Sequence, residues 1–210
     1  TSYQKRGKPI SEILKETLPN TIILAFSSMI IAVILGVLLG VMATIFKDHW
    51  IDRFLLFIST VGMSVPSFFS AILFSWFFGY ILHSYTQLNM TGSLYELDDF
   101  GDSYHIIWKN LILPSFVLGI RPLAVIIQLI RTNLLEVLSK DYIRTAYSKG
   151  LSRYQVIFKH GLKNSLNPVI TAVSGWFASL LAGAIFVEYV FGWNGLGKEI
   201  VEALNQLDIP

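Results

Sequence analysis

An all-α, polytopic membrane protein is the fold class this sequence predicts, and three observations predict it. Hydrophobic residues make up 53% of the 210 residues and charged residues only 14%. The apolar residues are clustered, with no Asp, Glu, Lys or Arg over 17–46, 54–95 or 164–187. A helix crossing a bilayer needs about 20 mostly apolar residues, and each of these runs supplies that. A soluble domain of this length would interrupt such runs with charged surface. Cysteine is absent, which excludes a disulfide framework and a thiolate metal site. The net charge is only +2, so its distribution carries more information than its sum.

Residues 1–19 are polar and mixed in charge, with an amphipathic stretch "SEILKETLP" in which Ser11 is a candidate N-cap. The first span is expected over 20–46. Its Gly36 and Gly40 form a small-xxx-small pattern that permits close helix approach, and a chance pair of glycines accounts for it equally well. After the loop Lys47–Arg53, a second span is expected over 54–83, kinked where Pro66 removes a backbone hydrogen bond. A polar loop follows over 84–109, acidic through Glu96, Asp98, Asp99 and Asp102. The third span, 110–138, carries Arg121 and Arg131, and the fourth covers 168–191. The tail 192–210 turns at glycines and continues as a short amphipathic helix. The chain begins at Thr1 rather than Met, has no signal-peptide pattern, and ends at Pro210 beyond a charged, non-spanning stretch. The expectation is a piece of a longer chain.

Between spans three and four lies "DYIRTAYSKGLSRYQVIFKHGLKNSLNPVI", Asp141–Ile170. Tyr142, Ile143, Ala146 and Tyr147 share one helical face, Asp141 is a candidate cap, and Gly150 suits the left-handed position that ends a helix. Ser152 and Gln155 then make a capping-box pattern. Tyr154, Ile157, Phe158, Gly161 and Leu162 follow the stripe of a half-buried helix, and Pro168 fits the first turn of the next span. Two readings stand: a basic loop lying on anionic headgroups, or a docking element. Caps, a glycine hinge and a proline entry specify a fixed bend, which only docking requires. The Lys and Arg residues from Lys140 to Lys163 mark 139–167 as cytoplasmic by the positive-inside rule. The acidic loop, residues 1–19 and the 192–210 tail are then external, although Lys5, Arg6, Lys8 and Lys15 oppose that placement of the N-terminal segment.

This stretch resembles the EAA loop of permease subunits of bacterial ABC importers, in particular the dipeptide/oligopeptide/nickel group. The matching residues are Ile143, Arg144, Thr145, Ala146, Lys149, Gly150, Leu151, His160, Leu162, Asn164 and Pro168. Three further segments, 65–73, 134–146 and 185–204, are similar to that group. Arg144 stands where the wider superfamily has Glu, which favours the peptide subgroup; Asn167 and Asn194 depart from the group's pattern. The resemblance implies an importer-type permease in the bacterial inner membrane, with a flanking helix at each end lying beyond this chain. It implies that the loop seats in a cytoplasmic ATPase subunit, with Gly150 as the turn, Ala146 and Tyr147 in close contact, and the basic face pairing with acidic partner residues. ATP and Mg would be used by that ATPase, with no cofactor bound by this chain. A second, different permease subunit, an external solute-binding protein and the bilayer are the other implied partners; no nucleic acid is expected. Dipeptides, oligopeptides, nickel chelates and glutathione-like compounds all remain open as substrates.

"GWNGLGKE" satisfies the G-x-x-x-x-G-K pattern of a nucleotide-binding loop, but Glu199 replaces its Ser/Thr and no strand precedes it. The chain itself is therefore not expected to hydrolyse ATP. Candidate residues for the translocation path are Pro66, Ser67, Arg121, Arg131 and Glu188. Arg131 is expected to snorkel toward the interface, Arg121 to face a cavity or a partner, and Glu188 to bond a neighbouring amide rather than hold a substrate amine. His49, His83, His105 and His160 are scattered, with no spacing that suggests a metal site. An ion-coupled secondary transporter or channel is the alternative, and it would need Glu188, Arg121 or Arg131 as its ion site. An intramembrane enzyme lacks a nucleophile–base pair or a carboxylate dyad.

Overall fold

The structure, a computed structural model, describes residues 8–97 and 104–207. Asp98, Asp99 and Asp102 of the acidic loop, with Lys5 and Arg6, lie outside the described residues. The chain divides into two compact units: Thr1–Ser28, Val65–Leu118 and Phe177–Pro210 in one, Met29–Ser64 and Gly119–Trp176 in the other.

The first helix, α1, runs Ile10–Ile45 without a break, so the amphipathic stretch and the first span are one element rather than two. Pro19 is accommodated inside it at the loss of one backbone hydrogen bond. Helix entry is set by Pro9, whose carbonyl accepts from the Glu12 and Ile13 amides at 3.0 and 3.4 Å. Ser11 therefore lies within the helix and does not cap it. Helix α2 covers Trp50–Ser64. The expected second span does not stay one helix: the backbone opens at Val65–Pro66, where Pro66 is extended, and α3 restarts over Ser67–Phe74. A proline without an N–H, preceded by a residue disfavoured from α geometry, explains a break rather than a kink. A π-helical turn, π1, follows over Ser75–Ile81, then a short α4 over His83–Thr86. The polar loop contains a small antiparallel hairpin, β1 (Tyr95–Leu97) with β2 (Tyr104–Ile106), registered with Glu96 opposite His105.

Helix α5 spans Lys109–Leu138. The basic stretch forms α6 (Asp141–Ser148), α7 (Arg153–Gln155), a second π turn, π2 (Val156–Leu162), and α8 (Lys163–Ser165). Helix α9 (Asn167–Phe191) and α10 (Leu196–Asn205) complete the chain. Among the described residues, α1 and α5 are each long and apolar enough to cross a membrane; the number becomes four if two broken pairs, Trp50–Ser64 with Ser67–Ile81 and Arg153–Ser165 with Asn167–Ala182, each make one span.

In the second unit the core joins Ala32 and Val41 of α1, Ile126, Ile130 and Leu134 of α5, Ile157 of π2 and Val169 of α9. The glycine pair of α1 sits at its tightest point. A Cβ on Gly36 would lie 2.7 Å from Ile126 Cγ2, and one on Gly40 would lie 2.7 Å from Ile130 Cβ and 2.9 Å from the Ile127 carbonyl. The pattern thus serves close packing, the main source of helix association where the solvent is itself apolar. Ile22, Phe26, Ile30, Ile34 and Leu38, every fourth residue of α1, stay exposed. An apolar exterior of this kind suits hydrocarbon rather than water.

Replacing Gly40 with Ala should overpack this contact and cost about 1–3 kcal/mol. Thermal unfolding in detergent should show it as a lowered apparent Tm. The same change at Gly175, whose Cβ site has nothing within 4 Å, should leave Tm unchanged.

Candidate functional site

The basic module is a bent pair of short helices that carries its own small core. At the end of α6, Gly150 takes φ +80°, its amide donates to the Tyr147 carbonyl at 2.9 Å, and the Leu151 amide donates to Ala146 at 3.4 Å. This is a Schellman turn, and the left-handed backbone explains the glycine. The capping box is present, with the Gln155 amide donating to Ser152 Oγ at 3.4 Å and the Ser152 amide to Gln155 Oε1 at 3.0 Å. Asp141, by contrast, is the first helical residue rather than the cap. Lys140 occupies the cap position, and Asp141 makes an exposed 3.5 Å pair with Arg144 that adds little stability.

Two expectations about which residues are buried change. Ile143 and Ala146 are buried against Val156, with Leu138 and Leu151 packed around them, while Tyr142 and Tyr147 are exposed. Ala146 therefore builds the module from within. In the second limb, Val156, Ile157, Gly161 and Ser165 are buried, while Tyr154 and Phe158 lie outside with ring centroids 4.4 Å apart. The π turn adds residues to each revolution, so a stripe drawn at the α-helical period drifts off the buried side. Asn164 ties the two limbs, with Nδ2 donating to Tyr142 Oη and to the His160 carbonyl, each at 3.1 Å. Leu162 packs on the larger core, Pro168 stands in the first turn of α9, and His160 is half-buried. Arg144, Thr145, Tyr147 and Lys149 are exposed.

The two arginines inside α5, Arg121 and Arg131, each have a local partner. Arg131 does not snorkel: its Nε and Nη2 donate to Asp52 Oδ1 and Oδ2 at 2.6 and 2.7 Å, and Asp52 is only 2% exposed. A buried carboxylate holds a bidentate guanidinium far more firmly than a water interface does. Asp52 falls in the expected loop Lys47–Arg53 and stands in the first turn of α2; an arginine inside a span, which calls for a counter-charge, is the sequence signal that points to it. Arg121 is exposed, and its Nη2 donates to the Met63 carbonyl at 3.4 Å, near the C-terminus of α2. A cation there satisfies a carbonyl the helix cannot. Pro66 and Ser67 stand at the break itself, Pro66 exposed and Ser67 half-buried.

In the other unit Glu188 is completely buried and belongs to the glycine turn after α9. Gly192 takes φ +68°, its amide donates to Tyr189, and the Trp193 amide donates to the Glu188 carbonyl at 2.8 Å, a second Schellman turn. The chain then folds back on the Glu188 side chain. Oε2 accepts from the Gly197 amide at 2.6 Å and the Lys198 amide at 3.2 Å, and Thr21 Oγ1 accepts from Leu196 at 2.8 Å. These are the first three amides of α10, which a helix leaves unpaired and electropositive. The G-x-x-x-x-G-K stretch is thus an anion nest, and the anion is the chain's own carboxylate. The buried Trp193 donates its indole N–H to the Asn20 carbonyl at 3.1 Å, and the Asn194 amide donates to Ser93 Oγ at 3.2 Å. A polar cleft of about 720 Å³ opens beside this turn, bordered by Glu16, Asn20, Ser93, Asn194, Lys198 and Glu202. Among the described residues no group of three or more His, Cys, Asp or Glu could hold a metal ion.

The same helical architecture occurs in a chain of the MetNI methionine ABC transporter, solved in inward-facing conformations. The match has a TM-score of 0.67 and covers 94% of this chain and 82% of that one at 17% identity. The chain belongs to the family of inner membrane components of binding-protein-dependent transport systems, which it matches over residues 36–210. It is 38% identical to the dipeptide transport system permease protein DppB of Alkalihalophilus pseudofirmus, over 98% of this chain and 66% of that protein. It is 37% identical to the oligopeptide transport system permease protein AppB of Bacillus subtilis, over 100% of this chain and 65% of the relative. The glutathione transport system permease protein GsiC of Escherichia coli is 36% identical over 97% of this chain and 61% of its own length. The chain thus spans slightly less than two thirds of the length of these curated relatives.

Removing the Glu188 carboxylate should strand the Gly197 and Lys198 amides, so Glu188→Ala should cost about 1–3 kcal/mol. Glu188→Gln, which keeps one acceptor oxygen, should cost less. Unfolding curves of the two variants in detergent check the order.

Proposed function

We propose that this chain is part of the membrane-spanning subunit of an ATP-driven importer for peptides or a similar small solute. In this reading it forms part of the translocation path and couples to a cytoplasmic ATPase through residues 141–165. The observation that carries it is the construction of the module. A Schellman turn, a capping box and an internal core hold two short helices at a fixed bend, and α8 leads directly into α9. A headgroup-lying loop needs only charge and an apolar face. A rigid element docked into a moving partner transmits displacement instead of absorbing it.

The motif residues divide by task. Gly150, Ala146, Leu151, Leu162, Asn164 and Pro168 shape the module, and Arg144, Thr145, Tyr147 and Lys149 present its outer surface to the ATPase. ATP and Mg belong to that partner. The basic surface puts 139–167 in the cytoplasm by the positive-inside rule, with the 84–109 loop and the 192–210 tail on the external side, where a solute-binding protein would dock. A second, related permease subunit would complete the path. The names of the relatives favour a peptide-like solute. An ion-coupled transporter is less well supported. Arg131 is committed to Asp52 and Glu188 to backbone amides, which leaves Arg121 as the intramembrane ionisable group with most freedom.

The chain has no cysteine, so single substitutions give clean probes. Cysteines replacing Tyr147, Ser148 or Lys149 should cross-link to a co-expressed ATPase subunit. A cysteine replacing the buried Ala146 should react about tenfold more slowly or not at all, as expected for a site open only through local unfolding. No cross-link to an ATPase subunit at any of the three exposed sites would exclude the proposal.

A further inference from the structure

The turn between α1 and α2, residues 46–49, is held from two directions. On one side Arg153, the first residue of α7, donates from Nη2 to the Ile45 carbonyl at 3.2 Å. Ile45 is the last residue of α1, so this carbonyl has no acceptor role left in its own helix and carries the negative end of the helix dipole. On the other side Asp52 Oδ2 accepts the Asp48 amide at 3.1 Å, which fixes the turn where Asp48 takes the left-handed φ of +66°. The same carboxylate takes both Arg131 bonds from α5. One buried side chain thus fastens the turn, the start of α2 and α5 together, and one arginine of the basic module grips the end of α1.

These polar ties differ in kind from the apolar contact nearby. Ile157 of π2 and Val169 of α9 share an apolar core with Ile126, Ile130 and Leu134, a contact without directional bonds. A bidentate guanidinium–carboxylate pair fixes distance and rotation together. Arg153 thus links the module to the end of α1, and the Asp52–Arg131 pair links the start of α2 to α5.

We propose that Asp52, Arg131 and Arg153 are positioning residues that give the module a further mechanical output, so that ATP-driven displacement of residues 141–165 moves α2 as well as the covalently joined α5 and α9. This rests on the reading of the module as the ATPase-facing element. In that reading alone, the paths of transmission are the two helices joined to the module through the main chain, α5 before it and α9 after it.

The test uses the assembled transporter with partner cysteines replaced, reconstituted in lipid. A single cysteine is placed at exposed Thr60 on α2 or exposed Thr171 on α9. Fluorescein-maleimide labelling rates are compared without nucleotide and after trapping with Mg-ATP and vanadate. In the unmodified background both sites should change rate by about fivefold, the scale of ordinary coupling between sites. In Arg131→Lys, which keeps the charge but loses the two-pronged bond, and in Arg153→Ala, the change at Thr60→Cys should fall below about twofold while that at Thr171→Cys persists. Co-purification of the ATPase subunit should be unaffected in both. A Thr60→Cys response that survives both variants, or that is absent from the unmodified complex, overturns the proposal. If Arg131→Lys fails to insert, the Arg153→Ala arm decides alone. Failure of the unmodified chain to retain any ATPase subunit is a different result, and it removes the coupling reading itself.

Discussion

Everywhere this chain leaves regular helix at an apolar depth, the peptide groups it uncovers have to find partners within the protein, because hydrocarbon offers none. The helix ends show how strictly this is met. Arg153 takes the last carbonyl of α1, Arg121 takes one near the end of α2, and Lys198 Nζ reaches the Gly192 carbonyl beyond α9 at 3.4 Å. At the opposite pole Glu188 and Thr21 accept the first three amides of α10. The π1 turn follows the same logic: Thr86 Oγ1 donates to the Phe78 carbonyl at 2.9 Å, and Ser75 Oγ donates to the Met90 carbonyl at 2.6 Å. Charge in a membrane protein is usually read as substrate or ion chemistry. Here Arg121, Arg153, Lys198 and Glu188 complete backbone hydrogen bonding at breaks in the helices.

That accounting also separates what the residue pattern reveals from what it conceals. Composition and run length were enough for the class and for the third span, whose expected limits of 110–138 fall within one residue of α5. Local capping chemistry was legible as well, since Gly150 and the Ser152–Gln155 box act between residues three or four apart. Asp141 was misjudged by one position, because a turn ending at Lys140 left it already inside the helix. The kink expected at Pro66 is instead a break, because a proline in a membrane helix is compatible with either, and the neighbours that decide between them are distant in sequence.

The π turns were invisible for a different reason. Nothing in "VIFKHGL" marks an i→i+5 ladder, yet the chain forms one over Val156–Leu162. The Asp52–Arg131 pair was half legible. An arginine in a span calls for a counter-charge, but only the fold says that it comes from a residue 79 positions earlier in a loop that looked like plain surface. The family motif divides in the same way. Its residues are legible as a set, while their separation into builders and presenters follows from burial alone.

The glycine turn around Glu188 carries a consequence for descent. The three atoms nearest a Cβ placed on Gly195 all belong to the Glu188 carboxylate, whereas one placed on Gly197 also meets the Ile185 backbone. Positions 188 and 195 are therefore coupled, since a side chain gained at 195 needs volume lost at 188, and that loss gives up the acceptor of the Gly197 and Lys198 amides. Position 197 has no such freedom, since no change of side chain at another position moves the Ile185 backbone aside. Of these two glycines, Gly195 is held in place by a neighbouring side chain, and Gly197 by the main chain itself.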